Sequence, residues 1–129
     1  MNIREGLQMD MNDVARELVA GCREGRAAEN LDKLYAPDAV SVEAMDNGNG
    51  REAVGVEAIR GKHAWWTENF EVHGGSVSDP MPHGDNKFAV IFEMDATMKA
   101  TGERNEMKEV AVYTVTDGKI SHEEFYYGS

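Results

Sequence analysis

The chain has 129 residues, of which 13 are Lys or Arg and 24 are Asp or Glu, for a formal charge of -11. That length suits one domain, residues 1–129, with one core, and the acidic balance disfavours nucleic acid and anionic membrane surfaces as partners. The only cysteine, Cys22, excludes an internal disulfide, and no apolar run approaches the ~18 residues of a membrane-spanning helix.

The polar start shows no signal peptide, so a cytoplasmic setting is expected; residues 1–10 read as a loose lead-in. A helix is predicted over 10–25, where Val14, Leu18 and Cys22 form an apolar stripe beside Ala15 and Val19. Asp10, Asn12 and Asp13 are candidates to cap it, and Gly25 to stop it. A second helix over 27–35 would run antiparallel to the first. The next stretch organises the chain: Leu31-Asp32-Lys33-Leu34-Tyr35-Ala36-Pro37-Asp38-Ala39-Val40-Ser41-Val42-Glu43-Ala44. Leu31, Leu34 and Tyr35 keep helical spacing, and Pro37 stops the helix and pushes Ala36 out of it. Val40 and Val42 then alternate with Ser41 and Glu43 as a strand over 39–44.

Asp46-Asn47-Gly48-Asn49-Gly50 is a loop by composition. A third helix follows over 56–70, with Ile59, His63, Trp66 and Phe70 on one face. Gly61, in its middle, costs about 1 kcal/mol against alanine and is read as admitting a close neighbour. Residues 71–81 form an irregular strand, interrupted at Gly74-Gly75 and ended by Pro80 and Pro82. After a turn at 83–86, Phe88, Val90, Phe92 and Met94 alternate along a strand. Beyond Thr101-Gly102, Met107, Glu109, Ala111, Tyr113 and Val115 alternate along the next. Thr116-Asp117-Gly118 is a hairpin loop with Gly118 at positive φ, and a last strand covers 119–127.

The order helix, helix, strand, helix, four strands predicts an α+β fold: three N-terminal helices on a curved, mostly antiparallel sheet. Val110, Val112, Ile120 and Tyr126 then lie on the face turned away from the helices, and a second copy of the chain is the simplest cover.

Three motifs carry a family resemblance: Leu34-Tyr35-Ala36-Pro37-Asp38-Ala39-Val40, Gly55-Val56-Glu57-Ala58-Ile59-Arg60-Gly61, and Val115-Thr116-Asp117-Gly118-Lys119-Ile120. In these the chain resembles the nuclear transport factor 2-like superfamily, in its SnoaL-like branch, relatives of polyketide cyclases and ketosteroid isomerases. The resemblance implies a cystatin-like cone with an internal pocket, and a homodimer through the outer face of the sheet. The isomerases carry a catalytic carboxylate eight residues after the tyrosine of the first motif, and here that position is Glu43. Their first-helix tyrosine is missing, since Leu18 and Val19 occupy the region. Their second acid has Glu109 nearby.

Proton transfer at a carbon beside a carbonyl needs a base of tuned pKa and a donor for the developing oxyanion. If the last hairpin has a three-residue loop, Glu109, Ala111, Tyr113 and Val115 share the inner face with Ser121, Glu123, Phe125 and Tyr127; a two-residue loop would split that set. On the first register the candidate acids are Glu43, Glu109 and Glu123, with Tyr113 as donor and His63 as a further acid, base or ligand contact. Tyr35, Ile59, Trp66, Phe92 and Phe125 complete the expected ligand wall, and Trp65 points elsewhere. His63, His73, His83 and His122 have no metal-ligand spacing, and phosphate loops and nucleophile motifs are missing, so no metal or cofactor is expected. The expected function is binding of a small hydrophobic carbonyl-bearing or cyclic metabolite, with cofactor-free isomerisation, cyclisation or dehydration and Glu43 as base. The competing expectation is a non-catalytic binding or association module of the same fold.

Overall fold

The structure is a computed structural model that describes residues 10–46, 48 and 50–127. Residues 1–9 of the lead-in read over 1–10, and positions 47 and 49 of the Asn/Gly loop, lie outside the described residues. Helix α1 (Met11–Glu24) starts at Asp10, whose carboxylate accepts the Asp13 N–H at 2.8 Å while Asp13 reaches back to the Asp10 N–H at 3.4 Å. This reciprocal cap satisfies two donors that the first turn leaves free. Gly25 ends the helix with φ 82, a left-handed conformation that suits glycine. Helix α2 (Ala27–Leu34) returns against α1, and Val14, Leu18, Leu31 and Leu34 are buried.

The chain passes from α2 directly into strand β1 (Tyr35–Val42), which begins before the predicted start at Ala39. A proline and the residue before it favour extended backbone. The ladder to the last strand shifts between Tyr35 and Val40, so Pro37, which has no N–H to give, sits where pairing is broken. Strand β2 (Glu52–Val54) pairs back on β1. Gly55, with φ 95, then turns the chain into helix α3 (Val56–Asn69), and its N–H donates to the Ala39 carbonyl at 2.7 Å. The remaining strands are β3 (Phe70–Val77), β4 (Met81–His83), β5 (Lys87–Met98), β6 (Arg104–Thr116) and β7 (Lys119–Tyr126). The three-residue strands β2 and β4 are additions to the expected order. Their pairing is set by the neighbouring strand and leaves no periodic trace in so few residues.

The sheet runs β2-β1-β7-β6-β5-β3, with β4 also on β5, and every pair is antiparallel except β1 with β7. Three helices against this mixed, mostly antiparallel sheet give the α+β architecture read from the sequence. Phe88, Leu31, Leu34, Ile59, Ile120, Val14 and Val90 are the largest of its fully buried apolar side chains. Burial of each contributes about 1.5–3 kcal/mol.

The last hairpin decides which acids face the helices. Val115 pairs with Ile120 and Thr116 with Lys119, so the loop has two residues, Asp117 (φ 52) and Gly118 (φ 78), both in the primed-turn region. The expected three-residue loop is therefore corrected. The predicted face survives below the turn because the ladder shifts between Thr114 and Val115, bringing Tyr113 opposite Glu123 and Ala111 opposite Phe125. Ser121 is the extra residue, tied to Thr116 Oγ1 at 2.8 Å and to the Thr114 carbonyl at 3.3 Å. Above the bulge the parity reverses. Ile120 enters the core, contrary to its expected place on the outer face, and Ser121 leaves the inner set.

Gly61 also differs from expectation: a Cβ there would meet nothing within 4 Å, so no close neighbour requires the glycine. Replacing it spares the unfolded-state entropy that glycine carries in a helix. Gly61→Ala is expected to raise stability by about 0.5–1 kcal/mol, read as a higher urea midpoint with an unchanged denaturant slope.

Candidate functional site

Ser41 and Glu43 point to the inner face at the end of β1, which alternates side to side, and Glu123 lies opposite Ser41 on β7. Glu123 is 2% exposed, so its carboxyl group has to be supplied with donors from inside the protein. Tyr35 donates its hydroxyl to one oxygen, and Ser41 Oγ donates to the other at 2.7 Å. A serine hydroxyl has one proton and free lone pairs. Having donated, Ser41 accepts from Lys62 Nζ on α3 at 2.8 Å. The same ammonium donates to Glu43, whose second oxygen accepts the Tyr127 hydroxyl at 3.2 Å. Lys62 also lies 5.3 Å from the centre of the Phe125 ring, within cation–π range.

Glu109, on the inner face of β6 opposite Phe92, joins this group by charge. Burial raises its pKa from the ordinary 4.5 to about 7; the Glu43 and Glu123 charges push in the same direction and Lys62 opposes them. Among the described residues no side chain donates a hydrogen bond to it, in contrast to Glu43 and Glu123. A carboxyl group that titrates near neutrality can take up and release a proton at physiological pH. Tyr113 is buried and stacked on Phe88 at 4.9 Å, and burial holds its hydroxyl protonated, well above the ordinary tyrosine range. Burial does the same to Tyr35. It also pushes the Cys22 thiol up to about 11, with help from the Glu123 charge, which leaves Cys22 an unreactive thiol at neutral pH.

The expected site residues therefore separate. Glu43, Glu109, Glu123, Tyr113, Tyr35 and Phe125 share one inner region. Phe92 is half-buried against the core, and Ile59 is fully buried within it. Trp66 is half-buried and stacked on Phe70 at 3.9 Å, while Trp65 is 55% exposed and meets the edge of the same ring. His63 lines a groove of about 680 Å³ with Ala28, Leu31, Arg60, Thr67 and Lys99, between α2, α3 and the β5–β6 turn. Burial lowers its pKa against the opposing pull of Glu123, so the ring is neutral at pH 7. Two polar members, Lys62 and Ser41, were not anticipated. Lys62 stands three residues after Ile59 and four before Trp66, which is the spacing of the helix face that packs on the sheet. Its charge argued for solvent and obscured that signal. Ser41 alternates in phase with Glu43, a cue equally present in the sequence. Among the described residues no three His, Cys, Asp or Glu side chains are grouped to hold a metal ion, and no helix is long and apolar enough to cross a membrane.

Three helices laid over a mixed, mostly antiparallel sheet are the fold described as cystatin-like or NTF2-like in solved structures. Comparison with known proteins gives the family: the SnoaL-like domain profile matches residues 9–127, and the chain belongs to that family. A crystal structure from Mesorhizobium loti, provisionally named a SnoaL-like polyketide cyclase, is 44% identical over 92% of this chain and 100% of its own, with a TM-score of 0.86. A protein of unknown function with a cystatin-like fold from Xanthomonas campestris shares 18% identity over 94% of this chain and 92% of its own, TM-score 0.74. An NTF2-like protein from Burkholderia pseudomallei shares 17% over 93% and 92%, TM-score 0.74. These last two attest the fold. No curated protein sequence matches the chain.

The raised Glu109 pKa carries a signed consequence for stability. Between pH 4.5 and about 7 the folded state holds a proton that the unfolded state has released, and this contribution is lost as pH rises through the folded value. Glu109→Gln is expected to match the parent at about pH 4 and to exceed its stability at pH 8 by about 1–3 kcal/mol, measured by urea unfolding at the two pH values.

Proposed function

We propose that this SnoaL-like protein binds a small hydrophobic carbonyl-bearing or cyclic metabolite and catalyses its isomerisation, cyclisation or dehydration by cofactor-free proton transfer. The observation that carries the reading is Glu109: a desolvated carboxyl group on the inner face of the sheet, poised near neutrality, with its oxygens free of side-chain donors. Glu43 fits the role of base less well, because Lys62 and Tyr127 already occupy its two oxygens. Glu109 would take the proton from carbon beside the carbonyl, and Tyr113, kept as a neutral O–H, would donate to the developing oxyanion. Phe125 and Phe92 supply apolar surface around them. The polyketide cyclase name of the Mesorhizobium loti relative agrees with a cyclic, carbonyl-rich substrate.

A second copy of the chain completes the proposal. The outer face of the sheet presents Ile91, Val110 and Val112, none of them fully buried, beside Tyr126 at 51% exposure. Apolar side chains gathered on one face favour association.

Two measurements test these readings. The first uses 5-nitrobenzisoxazole, a neutral aromatic probe whose ring C–H is removed by a carboxylate as the N–O bond opens to a phenolate. The protein is expected to accelerate this elimination with a sigmoidal pH dependence centred near pH 7, and Glu109→Gln is expected to lose about 10²-fold or more in rate. Acceleration that the variant retains would overturn Glu109 as base, and probe binding without turnover would favour the non-catalytic module. The second is sedimentation velocity: a dimer is expected, and Val112→Asp, which leaves the inner face alone, is expected to sediment as a monomer. A monomeric parent would remove the dimer.

A further inference from the structure

Lys62 is a long, strongly hydrated cation, and a position on the inward face of a helix is costly for it unless it is matched. Its side chain is 30% exposed and its ammonium has two partners, Ser41 Oγ near the end of β1 at 2.8 Å and the carboxylate of Glu43 just beyond that strand. Through Ser41 it reaches Glu123 and Tyr35; through Glu43 it reaches Tyr127. One ammonium thus joins a buried polar branch to a more exposed one. The groups facing Glu109 come from every neighbouring element: Glu43 after β1, Lys62 from α3, Glu123 from β7, Tyr127 beyond it, and Tyr113 on its own strand. From β5 the inward Phe92 and Met94 bring no charge. Lys62 is therefore the single cation in this set, set against three carboxyl groups.

We propose that Lys62 is a positioning residue that fixes the pH range in which Glu109 exchanges its proton, by holding Glu43 and the Ser41–Glu123 pair around the one cation that faces them among the described residues. It rests on the reading of Glu109 as the proton-transfer group, and it adds a device that sets when that group works. Without the ammonium, Glu43 and Glu123 would repel a charge on Glu109 with nothing to offset them. The Glu109 midpoint would move up and leave the group protonated, and inactive as a base, at neutral pH. The requirement is for charge at that place, so arginine should serve in part where methionine cannot.

The experiment follows the carboxyl carbons of glutamate in 13C-labelled protein through a pH titration, with Glu109 assigned from its loss in Glu109→Gln. The unaltered protein is expected to show a midpoint near pH 7 and Lys62→Met a midpoint about one unit higher, with Lys62→Arg returning toward the original. The inflection of the probe elimination rate should move with it. A parent midpoint near 7 that Lys62→Met leaves in place overturns the role of Lys62 alone; a parent midpoint near 4.5 overturns the reading of Glu109 itself. Should Lys62→Met fail to fold, the Lys62 side-chain 15N resonance in the unaltered protein decides the matter. It is expected to inflect at the Glu109 midpoint and to lose that inflection in Glu109→Gln, and a flat trace overturns the proposal.

Discussion

A carboxyl group placed inside a protein of this size has to be answered by donors, and Glu123 is answered by Tyr35 and Ser41. Those two residues stand at the beginning and near the end of β1, the strand that pairs in parallel with β7. The bonds therefore cross the one parallel seam of the sheet and join it below α3. A lost partner would leave an unsatisfied buried group, which typically costs more than the bond itself contributes. Two further polar groups of the inner face, Lys62 and Glu43, are tied to this arrangement. Ser41 gives its proton to Glu123 and so offers a lone pair to Lys62, and Lys62 in turn brings Glu43 into the set.

The three acids of the inner face consequently have different surroundings. Glu123 is enclosed and fully bonded, Glu43 is held between an ammonium and a phenol, and Glu109 has burial and neighbouring charge without a side-chain donor. Environments that push like groups apart are how a single fold obtains distinct acid and base roles from the same residue type. Glu43 is the acid that family spacing selects, and its two oxygens accept from Lys62 and Tyr127. The surroundings of Glu109 are assembled from three separate parts of the chain, which supply Glu43, Lys62 and Glu123.

The groove between α2 and α3 stands apart from that chemistry. It is lined by Arg60 and Lys99 with an apolar floor, and the Arg60 guanidinium is already bonded to Asp32 and Glu57. His63, neutral at pH 7, is the residue that lies on the groove and also feels the Glu123 charge. Its place follows from helical geometry: it is one residue on from Lys62, about 100° around the axis, so the two side chains diverge.

Much of the architecture was legible in the chain itself, because it rests on local physics. The stripe of Val14, Leu18 and Cys22, the Asp10 cap, the Gly25 stop and the alternation through β5 and β6 are short-range patterns that any packing must respect. The sequence alone also determined that an acid stands at position 43 and that Tyr113 and Glu123 could share a face. Tertiary structure decided the rest. The two-residue turn would have split the inner set, and the extra residue at Ser121 restored it; one inserted residue reverses the facing of a strand, and only the assembled ladder reveals where the insertion falls. Lys62 and Ser41 belong to the site for the same reason. A lysine on a helix is by default solvated, and its inward place became favourable only when α3 was laid across β1, bringing a serine lone pair and a carboxylate within reach of its ammonium. That coincidence depends on how a helix crosses a strand about twenty residues away, and the residues of neither element state it.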